Sequence, residues 1–170
     1  MTDIYFVAHC VLNVASKTIH NSNEDYIIEE KKRQLFLNKI HNENAQLVQL
    51  PCPEFLIYGH NRWGHARSQF DNPFYIERCE ELLKPFVLQA LEYKKYPDEF
   101  NIVSVIGING SPSCGVNFSF DSDNWKGEIS TISSKSSINQ TFLNNEMGVF
   151  IEVFSKMLNE KNIEIPFVSL

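Results

Sequence analysis

The strongest constraint on this chain is the alternation of short apolar runs with helix-length segments. Ile4-Tyr5-Phe6-Val7-Ala8, Gln46-Leu47-Val48-Gln49-Leu50, residues 100–108 and residues 165–169 are all strand-length. The first gap offers a polar cap at residues 21–24 and then residues 26–40. There Ile27, Ile28, Leu35, Phe36 and Ile40 predict one apolar helical face. In the second gap Asp71-Asn72-Pro73 predicts a helix start, with the helix running to about Tyr96 and kinked or broken at Pro85. The third gap ends in a helix over residues 146–160, with Phe150, Val153, Phe154, Met157 and Leu158 on its apolar side. Strands alternating with helices imply an α/β fold, a parallel sheet with helices on both faces. Right-handed crossovers narrow this to an open Rossmann- or flavodoxin-like sheet of about four main strands in the order 2-1-3-4. Residues 117–140 are rich in Ser and Asn, with short strands expected at residues 118–120 and 128–132, and predict a small hairpin-like excursion. No repeat or linker divides the chain, so residues 1–170 are expected to form a single domain.

Composition excludes several classes of function. Aromatic residues make up 12% of the chain, too much buriable surface for a disordered protein. The net charge of -6 and the pI near 5.4 exclude a protein built to grip phosphate backbones, so no direct nucleic-acid binding is expected. No apolar run approaches the roughly 18 residues of a membrane span, and no signal-peptide pattern is seen. The expectation is a cytoplasmic protein without a membrane partner, either monomer or homodimer. Gly107-Ile108-Asn109-Gly110 followed by Gly115 matches neither common phosphate-binding pattern.

Four cysteines are too few for a disulfide scaffold, and in a reducing compartment they are more often free, catalytic or metal-bound. Cys10 follows the first strand, Cys52 the second, and Cys114 lies in the loop after the third. In an open parallel sheet these loops share one edge, where ligands bind. Three residues far apart in sequence are therefore predicted to converge. Cys79 falls inside the long helix, one turn after Tyr75 and one before Leu83, and reads as core packing. Three converging thiolates suit zinc, with His9 or water as fourth ligand. They equally suit an iron–sulfur cluster with one iron left open as a Lewis acid.

The same loops carry acid–base chemistry. Glu54 lies two residues after Cys52, and Ser111 three before Cys114. A carboxyl group relays protons and a hydroxyl donates or accepts a hydrogen bond. Asn13, Arg62 and Ser113 are the candidate substrate-binding residues. His65 is a further candidate, whereas His60 and Arg67 read as solvated loop charge. Trp63 either stacks on a planar substrate or pins its loop to the core. Lys17 is expected to pair with an anion or an acidic neighbour.

His9-Cys10-Val11-Leu12-Asn13, Gln49-Leu50-Pro51-Cys52-Pro53-Glu54 and Gly110-Ser111-Pro112-Ser113-Cys114-Gly115-Val116 resemble the thiouracil desulfidase-related family. Arg62-Trp63, Gln69-Phe70-Asp71-Asn72-Pro73-Phe74-Tyr75, Gly148-Val149-Phe150-Ile151-Glu152 and Ile163-Glu164-Ile165-Pro166-Phe167-Val168 extend the likeness over nearly the whole chain. The first loop departs from the small, Gly-containing loop of the characterised desulfidases, so the chain reads as a related branch. The resemblance implies a 4Fe-4S cluster held by Cys10, Cys52 and Cys114, a catalytic acid at Glu54 and a catalytic hydroxyl at Ser111. The activity it implies is hydrolytic removal of sulfur from a small thiolated molecule, such as a thiolated nucleobase. Two other readings stay open: an iron–sulfur or sulfide-carrying module without catalysis of its own, and a zinc or thiol hydrolase.

Overall fold

The computed structural model of the protein describes residues 1–18, 23–126 and 141–170. Strands β1 (Thr2–Val7), β2 (Gln46–Gln49), β3 (Phe100–Gly107) and β6 (Phe167–Ser169) form one sheet. All its pairings are parallel, and the order is β2-β1-β3-β6. With β6 as its fourth strand, this is the order expected from the alternation of elements. Ile4, Tyr5, Phe6 and Val7 of β1 are all buried, as a strand covered on both faces requires.

Among the described residues three long helices cover the sheet: α2 (Asn23–Asn42), α5 (Pro73–Lys94) and α6 (Val149–Asn159). Tyr5 meets Phe36 of α2 edge-on, with ring centroids 5.9 Å apart. The next residue, Phe6, meets Phe154 of α6 at 5.9 Å. Neighbouring strand residues point to opposite faces, so α2 and α6 lie on opposite sides of the sheet. α5 packs beside α6 and buries Cys79, Leu83, Val87 and Ala90. Cys79 is therefore core packing, as its place in the helix suggested.

Two expectations need correction. The apolar face of α2 is narrower than its sequence implied: Ile40 is buried and Phe36 packs against the core, but Ile27, Ile28 and Leu35 are exposed. Ile28 and Leu35, two turns apart, share a stripe rotated away from the one made by Phe36 and Ile40. Lys39, over the Tyr5 ring at 5.9 Å, helps seat that second stripe. Pro85 does not break α5, which runs through it. Pro85 and Glu81 are exposed, so water can serve the carbonyl that a proline leaves unpaired. Leu83 and Val87, buried on either side, hold both halves on the core.

A second, two-stranded antiparallel sheet pairs β4 (Ser119–Asp121) with β5 (Phe142–Asn144). It matches the expected excursion and the expected strand near residues 118–120. The expected strand at residues 128–132 lies outside the described residues. No helix among the described residues is long and apolar enough to cross a membrane.

Candidate functional site

Hydrogen bonds carry the sheet ladder past the strand ends. Ala8 N donates to Ile106 O at 2.8 Å and Leu50 N to Val7 O at 2.8 Å. The chain thus leaves β1, β2 and β3 along one edge, and each exit leads to a cysteine. Cys10 lies on the four-residue helix α1 (His9–Leu12). Cys52 is the N-cap of α3 (Pro53–Tyr58), its Sγ accepting the Phe55 N–H at 3.4 Å. The sulfur does what a Ser hydroxyl usually does at that position, and Pro53 follows at the first helical residue.

Cys114 sits in a loop closed on itself and on α6. Ile108 N donates to Cys114 O at 2.9 Å, and Cys114 N to Ser111 Oγ at 3.0 Å. The first N–H groups of α6 find their acceptors in this loop: Val149 N on Pro112 O at 3.0 Å and Ile151 N on Ser113 O at 3.1 Å. Gly148 lets helix and loop come this close, since a Cβ there would stand 2.4 Å from Ser113 C and 2.6 Å from Cys114 N. Gly148→Ala is expected to cost about 1–3 kcal/mol by forcing loop and helix apart. Urea unfolding of the variant measures this directly.

The three thiols act on one another electrostatically. Burial is the largest cause raising each of their pKa values, and it pushes Cys10 up to about 12. The charges of Cys10 and Cys52 raise Cys114 further, and Cys52 also raises Cys10. Lys17 opposes this at Cys10. Its ammonium group is paired with Glu29 of α2, the acidic neighbour expected for it. Among the described residues no three or more His, Cys, Asp or Glu side chains close on one point as a single metal ion requires. His9, considered as a fourth zinc ligand, instead places Nδ1 3.2 Å from Nε2 of Gln49.

Glu54 is buried in the first turn of α3. Ser113 Oγ donates to its Oε1 at 2.6 Å, and Arg62 Nε lies 3.6 Å from its Oε2. Arg62 is itself anchored, donating to Gly59 O and to Ser16 O, both at 2.7 Å. It thereby ties the segment after Cys52 to the segment after Cys10. Ser111 is not the hydroxyl that bonds Glu54. Its Oγ lies 3.3 Å from that of Ser113, so the order is Ser111, Ser113, Glu54. Asn13 is exposed, and its Oδ1 accepts the Ala15 N–H at 3.1 Å as the cap of a short 3-10 turn.

His65 is half-buried and packs tilted against both Tyr58 and Phe70, with ring centroids 4.6 and 4.9 Å away. His60 is exposed, as expected. Arg67 is not solvated loop charge. It opens the short helix α4 (Arg67–Phe70), is buried, and donates to Met147 O at 2.8 Å and to Asp71 Oδ2 at 3.0 Å. It also pairs with Glu146 and Glu152, so its charge joins α4 to the start of α6. Trp63 is 77% exposed and does not pin its loop to the core. Sequence reasoning missed Gly148 and the buried Tyr75, whose roles depend on close approach.

A family profile described as "Putative 2-thiouracil desulfurase" matches residues 2–134. The chain belongs to this family. The matched region takes in all three converging cysteines, Glu54 and both loop serines. A relative by sequence, an uncharacterised protein of Methanocaldococcus jannaschii, is 32% identical over 113 residues, 66% of this chain and 67% of its own length. That distance agrees with a related branch. No solved structure matches the chain.

Proposed function

We propose that this desulfurase-family protein is an iron–sulfur-dependent desulfidase acting on a small thiolated molecule, with Cys10, Cys52 and Cys114 as ligands of a 4Fe-4S cluster. The observation that carries this reading is the placement of three cysteines just past the ends of three neighbouring parallel strands, at the edge that also holds the hydrogen-bonded Glu54–Ser113 pair. The donor set fits the group. Three thiols with no fourth protein ligand are the donor chemistry that such a cluster takes. The Phe55 N–H directed at the Cys52 sulfur is the kind of contact that tunes such a centre.

A bound cluster with one iron free of protein sulfur supplies a soft Lewis acid suited to a thiocarbonyl sulfur. The overall change is hydrolysis: C=S and water give C=O and hydrogen sulfide, with no net redox. Glu54 takes a proton from the attacking water and returns it as the C–S bond breaks. Ser113 and Arg62 hold that carboxylate in place, and Ser111 extends the line of hydroxyl groups away from it. Exposed Trp63, on the Arg62 loop, is free to stack on a flat ring.

The test is anaerobic reconstitution with iron and sulfide, followed by incubation with 2-thiouracil and a panel of thioamides. Expected are a brown protein holding iron and acid-labile sulfide in equal amounts, and release of sulfide with the oxo product. Stoichiometric zinc in a colourless protein overturns the cluster. A loaded protein that binds sulfide but turns over nothing on the panel overturns the enzyme in favour of a sulfide carrier.

A further inference from the structure

Tyr75 stands one turn into α5 and is only 4% exposed. Its ring stacks on Phe70, with centroids 4.3 Å apart and planes 5° from parallel. The ring is thus fixed, yet its hydroxyl oxygen is fully buried and finds no hydrogen-bond partner among the described residues. A buried, unmatched hydroxyl costs about 1–3 kcal/mol, so native structures seldom keep one without a reason. A phenylalanine would pack the same stack without that cost. This end of α5 lies beside the candidate site: α5 packs on α3, whose first turn carries Glu54, and the Phe70 ring under Tyr75 stacks at 6.3 Å on Tyr58 of α3. The charges acting on Tyr75 are, in order, those of Cys79 on its own helix and then of Glu54, Cys114 and Cys52 of the site. Burial keeps the phenol protonated, and it is therefore a donor.

We propose that the Tyr75 hydroxyl is a positioning donor for the group held by Cys10, Cys52 and Cys114, giving its hydrogen bond to a sulfur of that group. The inference rests on the cluster reading above and adds a residue to it. An anionic sulfur would complete the hydroxyl, and a hydrogen bond to cluster sulfur favours the more negative, reduced state. Tyr75 thus links the stability of the loaded protein to the redox properties of its centre. The nearby His65 Nδ1 is also buried without a partner among the described residues, but its ring packs one ring farther out, against Phe70 and Tyr58.

The test compares wild type with Tyr75→Phe, each as apoprotein and after anaerobic reconstitution with iron and sulfide. Without the cluster, removing an unpaired hydroxyl is expected to raise Tm by about 2–4 °C, the shift that 1 kcal/mol gives in a domain of this size. With the cluster bound, the same change is expected to lower Tm and move the reduction potential downward. Equal Tm shifts in the two states, with the potential unchanged, overturn the proposal: the hydroxyl is then served by water or by another part of the chain. Failure of wild type to take up iron and sulfide is a separate result, read from metal analysis. It overturns the cluster reading and this proposal with it.

Discussion

Glu54→Gln is expected to leave the iron and sulfide content of the reconstituted protein unchanged and to lower the rate of sulfide release by about 10²–10⁴-fold, the usual contribution of a positioned acid–base group. Gln has the same length and keeps a carbonyl oxygen to accept from Ser113, which now bonds Glu54 Oε1 at 2.6 Å. The surroundings do not collapse either, because Arg62 keeps its bonds to Gly59 O and Ser16 O. What the amide lacks is the ability to take up and return a proton. Arg62 also loses its counter-charge in a place where both side chains are nearly buried, so a stability cost of about 1–3 kcal/mol is expected. Melting curves, metal analysis and single-turnover sulfide release separate these effects. Turnover within a few-fold of wild type, at full metal content, would remove Glu54 from the chemistry.

The features legible in the sequence are those governed by repeated, local rules. Buried parallel strands read as continuous apolar runs, and the crossover rule then orders them, so the edge shared by Cys10, Cys52 and Cys114 follows without any contact being known. Cys79 could be set apart by its helical spacing from Tyr75 and Leu83, and it is buried as that spacing implied. Features set by tertiary partners were not legible. Arg67 looks like any loop cation until α6 and the segment before it bring Glu152 and Glu146 to it from far along the chain. Ile28 and Leu35 look like core residues until the sheet is seen to accept only the Phe36–Ile40 stripe. Gly148 carries no signal of its own, because its importance is the absence of a Cβ against a loop more than thirty residues earlier. Within the candidate site, residue types could be read from the sequence, but not the order of the hydrogen bonds. Nothing in Ser-Pro-Ser-Cys says that Ser113, and not Ser111, bonds the carboxylate.

Replacement of Cys10, Cys52 or Cys114 one at a time is expected to abolish stable iron binding, while Cys79→Ala binds iron as wild type does. The contrast is informative because burial alone does not predict it: Cys79 and Cys114 are both buried. Cys79 fills space in the α5 core, and trimming it to Ala costs only a small cavity, about 1 kcal/mol. Cys114 is also buried in the core and Cys10 packs against it, but the mutual repulsion of these thiols as thiolates means that only a bound cation makes ionising them together favourable. Cys52 needs the finer substitution, since its sulfur also caps α3. Cys52→Ser supplies a hydroxyl to accept the Phe55 N–H but a poor ligand for iron, so the helix survives and the metal does not. If loss of metal came from unfolding, Cys52→Ser would melt well below wild-type apoprotein; with the fold intact, the two apoproteins melt within a few degrees of each other. Full iron content in any one of the three variants would take that cysteine out of the ligand set, and loss of iron from Cys79→Ala to the same degree would show that the division into three and one is not the one the metal sees.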